Sequence, residues 1–336
     1  MRKMATIQKI SEIKPIPEAD RICAYRVNGW WIVDAVGKYN VSDRVIYCEI
    51  DSWIPNSIAP FLSKGVEPRE YLGVKGERLR TIRLRKQISQ GLILPVSILT
   101  NYGTDYKEDD DVSEILNIVK YEPPVSPRLA GLVKGSFPSF IPKTDQERIQ
   151  NLIKNISEWS SDGSKWEVTE KLEGSSMTVY LNEDNGIGVC SRNLELKFSE
   201  DNSFWKTALS HKLDQILVKF GRQIALQGEL VGEGVQGNIY ALKGLRFYVY
   251  DIYDIKEGRY WTSNERIKFV ETYGLFHVPV LQTEYSALSS LQTLLDFSNI
   301  KSYINPKTDA EGLVWKKTDG TESFKVISDT YLLKQG

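Results

Sequence analysis

The sequence predicts a mixed α+β chain: a small β-barrel module followed by antiparallel sheets flanked by helices. Three observations predict it. Short runs rich in β-branched and aromatic residues, separated by turn residues, dominate residues 1–120. A proline-rich break follows over residues 122–142, with Pro123, Pro124, Pro127, Pro138 and Pro142 interspersed with Gly131 and Gly135. Beyond it, strand-like and helix-like segments are mixed. At 336 residues the chain is long enough for about two domains, and the expected division is a module at 1–125, a linker at 126–143 and a second domain at 144–336.

In the first module, residues 22–27, 30–36 and 44–50 read as strands, with Asn28-Gly29, Gly37 and Ser42-Asp43 as turns. Several short strands in one compact region suggest an OB-like barrel. In the extended run 80–87, Arg83 and Arg85 share one face while Ile82 and Leu84 take the other. A basic outer face of that kind suits a phosphate backbone, although arginines on an exposed strand are also ordinary solvated residues.

In the second domain, Thr144 and Glu147 match a capping box, and Ile149, Leu152, Ile153 and Ile156 follow at helical spacing, so a helix is expected from Thr144. Strands are expected on both sides of Lys171, at 187–191, 224–230, 245–253, 311–316 and 323–327. Helices are expected at 203–220, 263–273 (capped by Thr262 and Glu265) and 286–298.

Composition narrows the chemistry. The hydrophobic fraction of 41% and charged fraction of 26% are those of an ordinary globular protein, and the net charge of −1 means any basic surface must be local. Cys23, Cys48 and Cys190 lie far apart without a Cys-x-x-Cys pair, which fits a reducing compartment and argues against a disulfide framework or a zinc site. With only His211 and His277, a histidine-rich metal centre is excluded; a metal would be a hard ion on oxygen ligands. The N-terminus lacks an apolar core segment and no apolar run is long enough to span a membrane, so a cytoplasmic location is expected.

The chemistry centres on Lys171-Leu172-Glu173-Gly174, a lysine held between two strands, with a glycine where the backbone turns or approaches a ligand. A fixed lysine becomes a nucleophile when its pKa is lowered. Lys-x-Asp/Glu-Gly occurs a second time, at Lys317-Thr318-Asp319-Gly320, but there Asp-Gly reads as a hairpin turn and only 16 residues follow. Downstream of Lys171, charged residues recur inside or at the ends of apolar strands: Arg192, Glu229, Asp251, Glu311 and Lys325. Lone charges there are costly, so one cluster around a cleft is the economical arrangement.

This ordered set resembles the covalent nucleotidyltransferases: RNA ligases, DNA ligases and mRNA capping enzymes. Lys171-Leu172-Glu173-Gly174, Ser191-Arg192-Asn193, Gly228-Glu229-Leu230, Phe247-Tyr248-Val249-Tyr250-Asp251-Ile252, Glu311-Gly312-Leu313-Val314 and Phe324-Lys325-Val326 look like the six motifs of that family, in its order. The resemblance implies an α/β, ATP-grasp-like nucleotidyltransferase domain at 144–336. DNA ligases and capping enzymes carry an OB module after this domain. Here the barrel-like module comes first and 11 residues follow Lys325, which resembles RNA ligases with an N-terminal OB-like domain. The fifth motif usually shows Lys-x-Lys, whereas Ser323 stands at its first position; whether Lys316 or Lys334 compensates is left open by the sequence.

What the resemblance implies is specific. Lys171, Lys325, Glu229 and Glu311 are the catalytic set. Arg148, Gln150, Glu170, Glu173, Arg192, Phe247, Leu313 and Lys325 are the nucleotide contacts, with adenine between Phe247 and Leu313 or Val314. Glu229, Glu311 and Glu173 hold Mg²⁺ or Mn²⁺ through its waters. ATP gives lysyl-AMP, AMP passes to a 5′-phosphate, and a 3′-hydroxyl seals the strand. Arg83 and Arg85 contact nucleic acid. The expected partner is RNA, as a nicked duplex or as ends that include a DNA strand, handled by a monomer in RNA repair. A DNA ligase, a GTP-using capping enzyme, or a nucleic-acid-binding protein with an inactive nucleotide site are the alternatives.

Overall fold

The computed structural model describes residues 2–103, 105–123, 131–286, 288 and 290–335. The chain separates into two compact units, Met1–Pro124 with Gln150–Ile153 and Leu332–Gly336, and Val125–Ile149 with Lys154–Tyr331.

The first unit is built almost wholly of strands: β1 (Ala5–Ile16), β2 (Ala19–Val27), β3 (Trp30–Ala35), β4 (Arg44–Cys48), β5 (Ser52–Pro55), β6 (Arg69–Tyr71), β7 (Val74–Arg78), β8 (Thr81–Leu84), β9 (Gln87–Gln90), β10 (Leu92–Pro95) and β11 (Val119–Lys120). They form sheets in the order β10-β4-β1-β2-β3 and β11-β5-β7-β6, with β8-β9 as a separate ribbon. The long β1 curls the main sheet. Its residues 5–9 pair with β4 and 10–16 with β2, with irregularities after Ile10 and Pro15. Both faces of this sheet are covered. Ile46 and Cys48 of β4 join one apolar cluster with Ile7 and Leu94, while Val45 and Tyr47 join another with Tyr25 and Trp30.

The 80–87 run does not behave as one strand. Thr81–Leu84 pairs with Gln87–Gln90, and Arg85 and Lys86 form the turn at positive φ (48° and 68°). Arg83 and Arg85 therefore do not share a strand face. Ile82 and Leu84, 47% and 38% exposed, face no core, because a two-stranded ribbon has no second layer to bury them.

The second unit contains β12 (Val133–Ser136), β13 (Glu147–Arg148), β14 (Trp166–Lys171), β15 (Ser175–Leu181), β16 (Ile187–Cys190), β17 (Leu194–Leu196), β18 (Ile224–Gly232), β19 (Leu245–Asp254), β20 (Arg259–Tyr260), β21 (Phe276–His277), β22 (Val280–Tyr285), β23 (Gly312–Lys317) and β24 (Ser323–Ile327). Its helices are α1 (Ile153–Trp159), α2 (Ser203–Ser210), α3 (Leu213–Phe220), α4 (Ser263–Tyr273), α5 (Leu291–Phe297) and α6 (Asp329–Gln335), of which α1 and α6 also reach residues grouped with the first unit. One sheet runs β12-β17-β16-β15-β18-β19-β20 with β21 beside β19, the other β13-β24-β23-β14-β22. The molecule is thus mixed α+β and mostly sheet, as the sequence predicts.

Three local expectations are corrected. No helix starts at Thr144: Glu147–Arg148 pairs in parallel with Phe324 and Lys325, and the α-helix begins at Ile153. Pairing with a strand far along the chain overrides the local capping pattern, and the Thr144 hydroxyl meets Ser176 instead, at 3.0 Å. The expected 203–220 helix is two helices, broken at His211 and at Lys212, whose φ is +55°. The expected 126–143 linker is in part a sheet element, since β12 pairs with β17; Pro124 and Pro127 lie outside the described residues. The Thr262–Glu265 capping box of α4 forms as expected.

Candidate active site

Strand alternation sorts the β14–β23–β24 sheet into two chemically opposite faces. In register, Glu167, Thr169 and Lys171 stand opposite Lys316, Val314 and Gly312, and Val314 and Lys316 stand opposite Lys325 and Ser323. The other face carries Trp166, Trp315 and Phe324, which pack with Trp159 at ring separations of 5.1 to 5.9 Å. One face is a rigid aromatic core; the other presents Lys171 and Lys325.

At the end of β14, Lys171 Nζ lies 2.7 Å from Glu311 Oε1. Gly312, directly opposite Lys171, must be glycine: a Cβ there would sit 2.2 Å from the Val326 carbonyl oxygen. Gly174 has the same requirement, because its Cβ would meet Leu230 O at 2.4 Å. That close approach brings the Lys171–Gly174 turn against β18, where Glu229 pairs with Ser176 and Tyr248.

The electrostatics are those of crowded carboxylates. Burial pushes the Glu229 carboxyl up to about 8, opposed by Lys171 and reinforced by Glu311. Glu173 is also raised, by burial and by Glu311. Lys171 runs against the expectation of a lowered pKa. Burial works against its charge, but Glu311 and Glu229 outweigh it and hold the ammonium above its ordinary value.

A second set of cations lies alongside. Lys325 Nζ and Arg192 Nη2 donate to Asp145 Oδ1 and Oδ2, at 3.1 and 3.0 Å. Ser176 joins the hydroxyls of Thr144 and Tyr250, at 3.0 and 3.3 Å. Deeper on the same face, Lys316 donates to Asp251 at 2.6 Å and to the Tyr250 carbonyl at 2.5 Å. Arg266 pairs with Glu167 and donates to His277 Nε2 at 3.0 Å.

Comparison with known proteins decides the family. An RNA ligase family model matches residues 164–327, and an OB-fold domain model matches residues 4–96. The chain is similar to Naegleria gruberi RNA ligase with PPi, at 45% identity over 99% of both chains with a TM-score of 0.92. A lysine-to-alanine mutant of the same ligase with ATP and Mn gives 44%, 99% of both chains and 0.92. A glutamate-to-alanine mutant with AMP and Mn gives 45%, 99% of both chains and 0.91. This chain belongs to the RNA ligase family. No curated protein matches it.

The ligase fold brings together Lys171, Glu173, Glu229 and Glu311, and sets Lys325 and Arg192 on a shared carboxylate. Other expected contacts are corrected. Phe247 packs with Met177 and Leu230 in the main core, while Tyr248 and Tyr250 pack in a different cluster with Leu172. Leu313 stands opposite Glu170 on the aromatic face of its sheet, so Val314 is the residue on the Lys171 face. Glu170 accepts the Tyr303 N–H at 2.8 Å from that opposite face. Lys316 does not stand in for the lysine missing at Ser323, because it is tied to Asp251. Lys334 lies in α6. Arg148 is buried on β13, opposite Lys325, and Gln150 is buried in the first unit, its carbonyl accepting the Gly29 N–H at 2.9 Å. Among the described residues no three His, Cys, Asp or Glu side chains are gathered closely enough to form a direct metal cage.

Sequence reasoning missed Asp145, Tyr240 and Tyr248. The Tyr240 hydroxyl accepts the Glu173 N–H at 2.6 Å and fixes the Lys171–Gly174 turn. Asp145 lies inside the Thr144–Glu147 capping pattern, which carries no sign of an ionic role for it. For Tyr248 the signal was present, since it alternates with Phe247 and only the phase was open.

Proposed function

We propose that this RNA ligase joins RNA 3′-hydroxyl and 5′-phosphate ends using ATP, through lysyl-AMP at Lys171 and an adenylylated 5′ end, in RNA repair. The observation that carries this reading is Lys171 at 2.7 Å from Glu311, on a rigid strand face that it shares with Lys325 and facing Glu229. Such a lysine is positioned for in-line attack on an α-phosphate. Lys325 and Arg192 are the donors for the charge that develops there. Tyr248 and Val314, in place of Phe247 and Leu313, are the residues assigned to the adenine.

A divalent cation fits the donor set. Glu173, Glu229 and Glu311 offer hard oxygen ligands, and a cation beside them would offset the burial that pushes the Glu229 carboxyl up to about 8. When bound, Mg²⁺ or Mn²⁺ would neutralise these carboxylates and let the Lys171 pKa fall. Lys171 must shed its proton to attack, and in the free protein Glu311 is the group hydrogen-bonded to it.

The OB-fold domain is assigned to RNA, with Arg83 and Arg85 on the exposed ribbon as backbone contacts. Among the described residues, no helix is long and apolar enough to cross a membrane.

The test is ligation of a 5′-labelled RNA or DNA strand in nicked duplexes whose 3′-hydroxyl strand is RNA or DNA, with ATP or GTP. Sealing with ATP and RNA ends is expected. Sealing only of all-DNA nicks, or transfer of GMP to a 5′ end, would replace this reading with a DNA ligase or a capping enzyme.

A further inference from the structure

Resting on that reading, we infer that Asp145 is a built-in anionic occupant of the phosphate site, which nucleotide must displace. Its two oxygens are divided between two cations: Oδ1 takes Lys325 at 3.1 Å and Oδ2 takes Arg192 at 3.0 Å. A carboxylate shared in this way presents to the two cations what two oxygens of one phosphate would present. The cations differ in mobility. The Lys325 side chain is 11% exposed on β24, whereas the Arg192 side chain is 49% exposed on a turn. Asp145 therefore also keeps Arg192 at the site before the nucleotide arrives.

The segment that carries Asp145 is held on both sides of it. The Pro142 carbonyl accepts Gln227 Nε2 at 2.8 Å, Lys143 donates to Asn193 at 3.0 Å, and the Thr144 hydroxyl meets Ser176 at 3.0 Å. After it, Glu147 and Arg148 pair with β24. Asp145 is consequently tethered at a high effective concentration beside its cations. Its side chain is 30% exposed, so it has solvent to swing into when an anion takes its place.

An internal competitor weakens an external ligand in proportion to its own occupancy. Each partly exposed ion pair is worth roughly a two- to fivefold preference, so removing both should tighten anion binding by about 4- to 25-fold. The experiment titrates inorganic pyrophosphate into the full-length wild type, Asp145→Asn and Asp145→Glu by calorimetry at low salt. In parallel, KM for ATP and kcat are measured for adduct formation at Lys171. Asp145→Asn should bind pyrophosphate more tightly and show a lower KM for ATP without a matching rise in kcat, and Asp145→Glu should return toward wild type. Unchanged or weaker pyrophosphate binding in a folded Asp145→Asn variant would overturn the inference and leave Asp145 a residue that only positions Arg192. Failure of the wild type to form any adduct would instead count against the ligase chemistry itself, whatever the pyrophosphate result.

Discussion

Lys171 and Lys316 stand on the same face of the same sheet, on neighbouring strands, yet their environments push them in opposite directions. Lys316 is buried and its pKa is lowered, burial outweighing the attraction of Asp251 while Arg266 adds repulsion. Lys171 is raised by Glu311 and Glu229 despite burial. If a depressed pKa identified the nucleophile, Lys316 would be chosen. Its Nζ is committed to Asp251 and to the Tyr250 carbonyl, so it is a structural cation. Lys171 sits among carboxylates that await positive charge. In a site completed by a cation, the free protein's pKa reports the missing charge and not the reactivity of the lysine.

The largest test of this contrast is functional. Lys171→Arg should lower strand sealing by about 10⁴-fold or more, the scale for removing a covalent nucleophile. Quantitative gel assays of the nicked RNA duplex would read this. A Lys171→Arg variant with near-normal sealing would move the chemistry elsewhere.

Lys316→Ala should instead act on stability. It leaves Asp251 buried beside Tyr250 without its lysine, at a cost of about 3–5 kcal/mol in urea unfolding. The protein that remains folded should still take up AMP. On the other face of the sheet, Trp315→Ala opens a cavity among Tyr285, Phe297 and Phe324 and should cost a similar amount, about 3–5 kcal/mol. Loss of adduct from the folded fraction of Lys316→Ala would erase the distinction between the two lysines.

The buried network also predicts a pH dependence. His277, beside Arg266 and Lys316, is pushed by burial and by these cations down to about 3. The unfolded chain binds this proton below its ordinary pKa of about 6.5 and the folded chain does not. Stability from neutral His277 is therefore complete above pH 6.5 and is lost as pH falls toward 3, at up to about 1.4 kcal/mol per pH unit. His277→Gln should flatten that slope in urea melts taken from pH 7 to 4; an unchanged slope would mean that His277 is not the group responsible. The smallest expected effect lies on the exposed ribbon. Arg83→Ala and Arg85→Ala should each weaken RNA binding a few-fold and lower the salt slope by about one. A full salt slope in the double variant would move the RNA contact off this ribbon.

Much of this was legible in the sequence, and the illegible parts have a common cause. The motif order from Lys171 to Val326 is written in local strands, and in the structure Glu311 and Glu229 lie close enough to act on the charge of Lys171. What local pattern cannot supply is phase and partner. The run 247–252 alternates aromatics, but only the pairing of Glu229 with Tyr248 reveals which ring shares its side. Leu313 and Val314 present the same ambiguity, decided by the register of Lys171 with Gly312. Thr144 and Glu147 satisfy a capping pattern, yet pairing with β24 makes that segment a strand. Asp145 was invisible because its partners, Arg192 and Lys325, lie 47 and 180 positions away.

The most direct test of the central claim is intact-mass spectrometry of wild type, Lys171→Ala, Lys316→Ala and Lys317→Ala after incubation with ATP and Mg²⁺ or Mn²⁺. The account predicts an AMP-sized gain on wild type, on Lys317→Ala and on the folded part of Lys316→Ala, and none on Lys171→Ala. An adduct that persists in Lys171→Ala, or a wild type that stays unmodified with either metal, would contradict it.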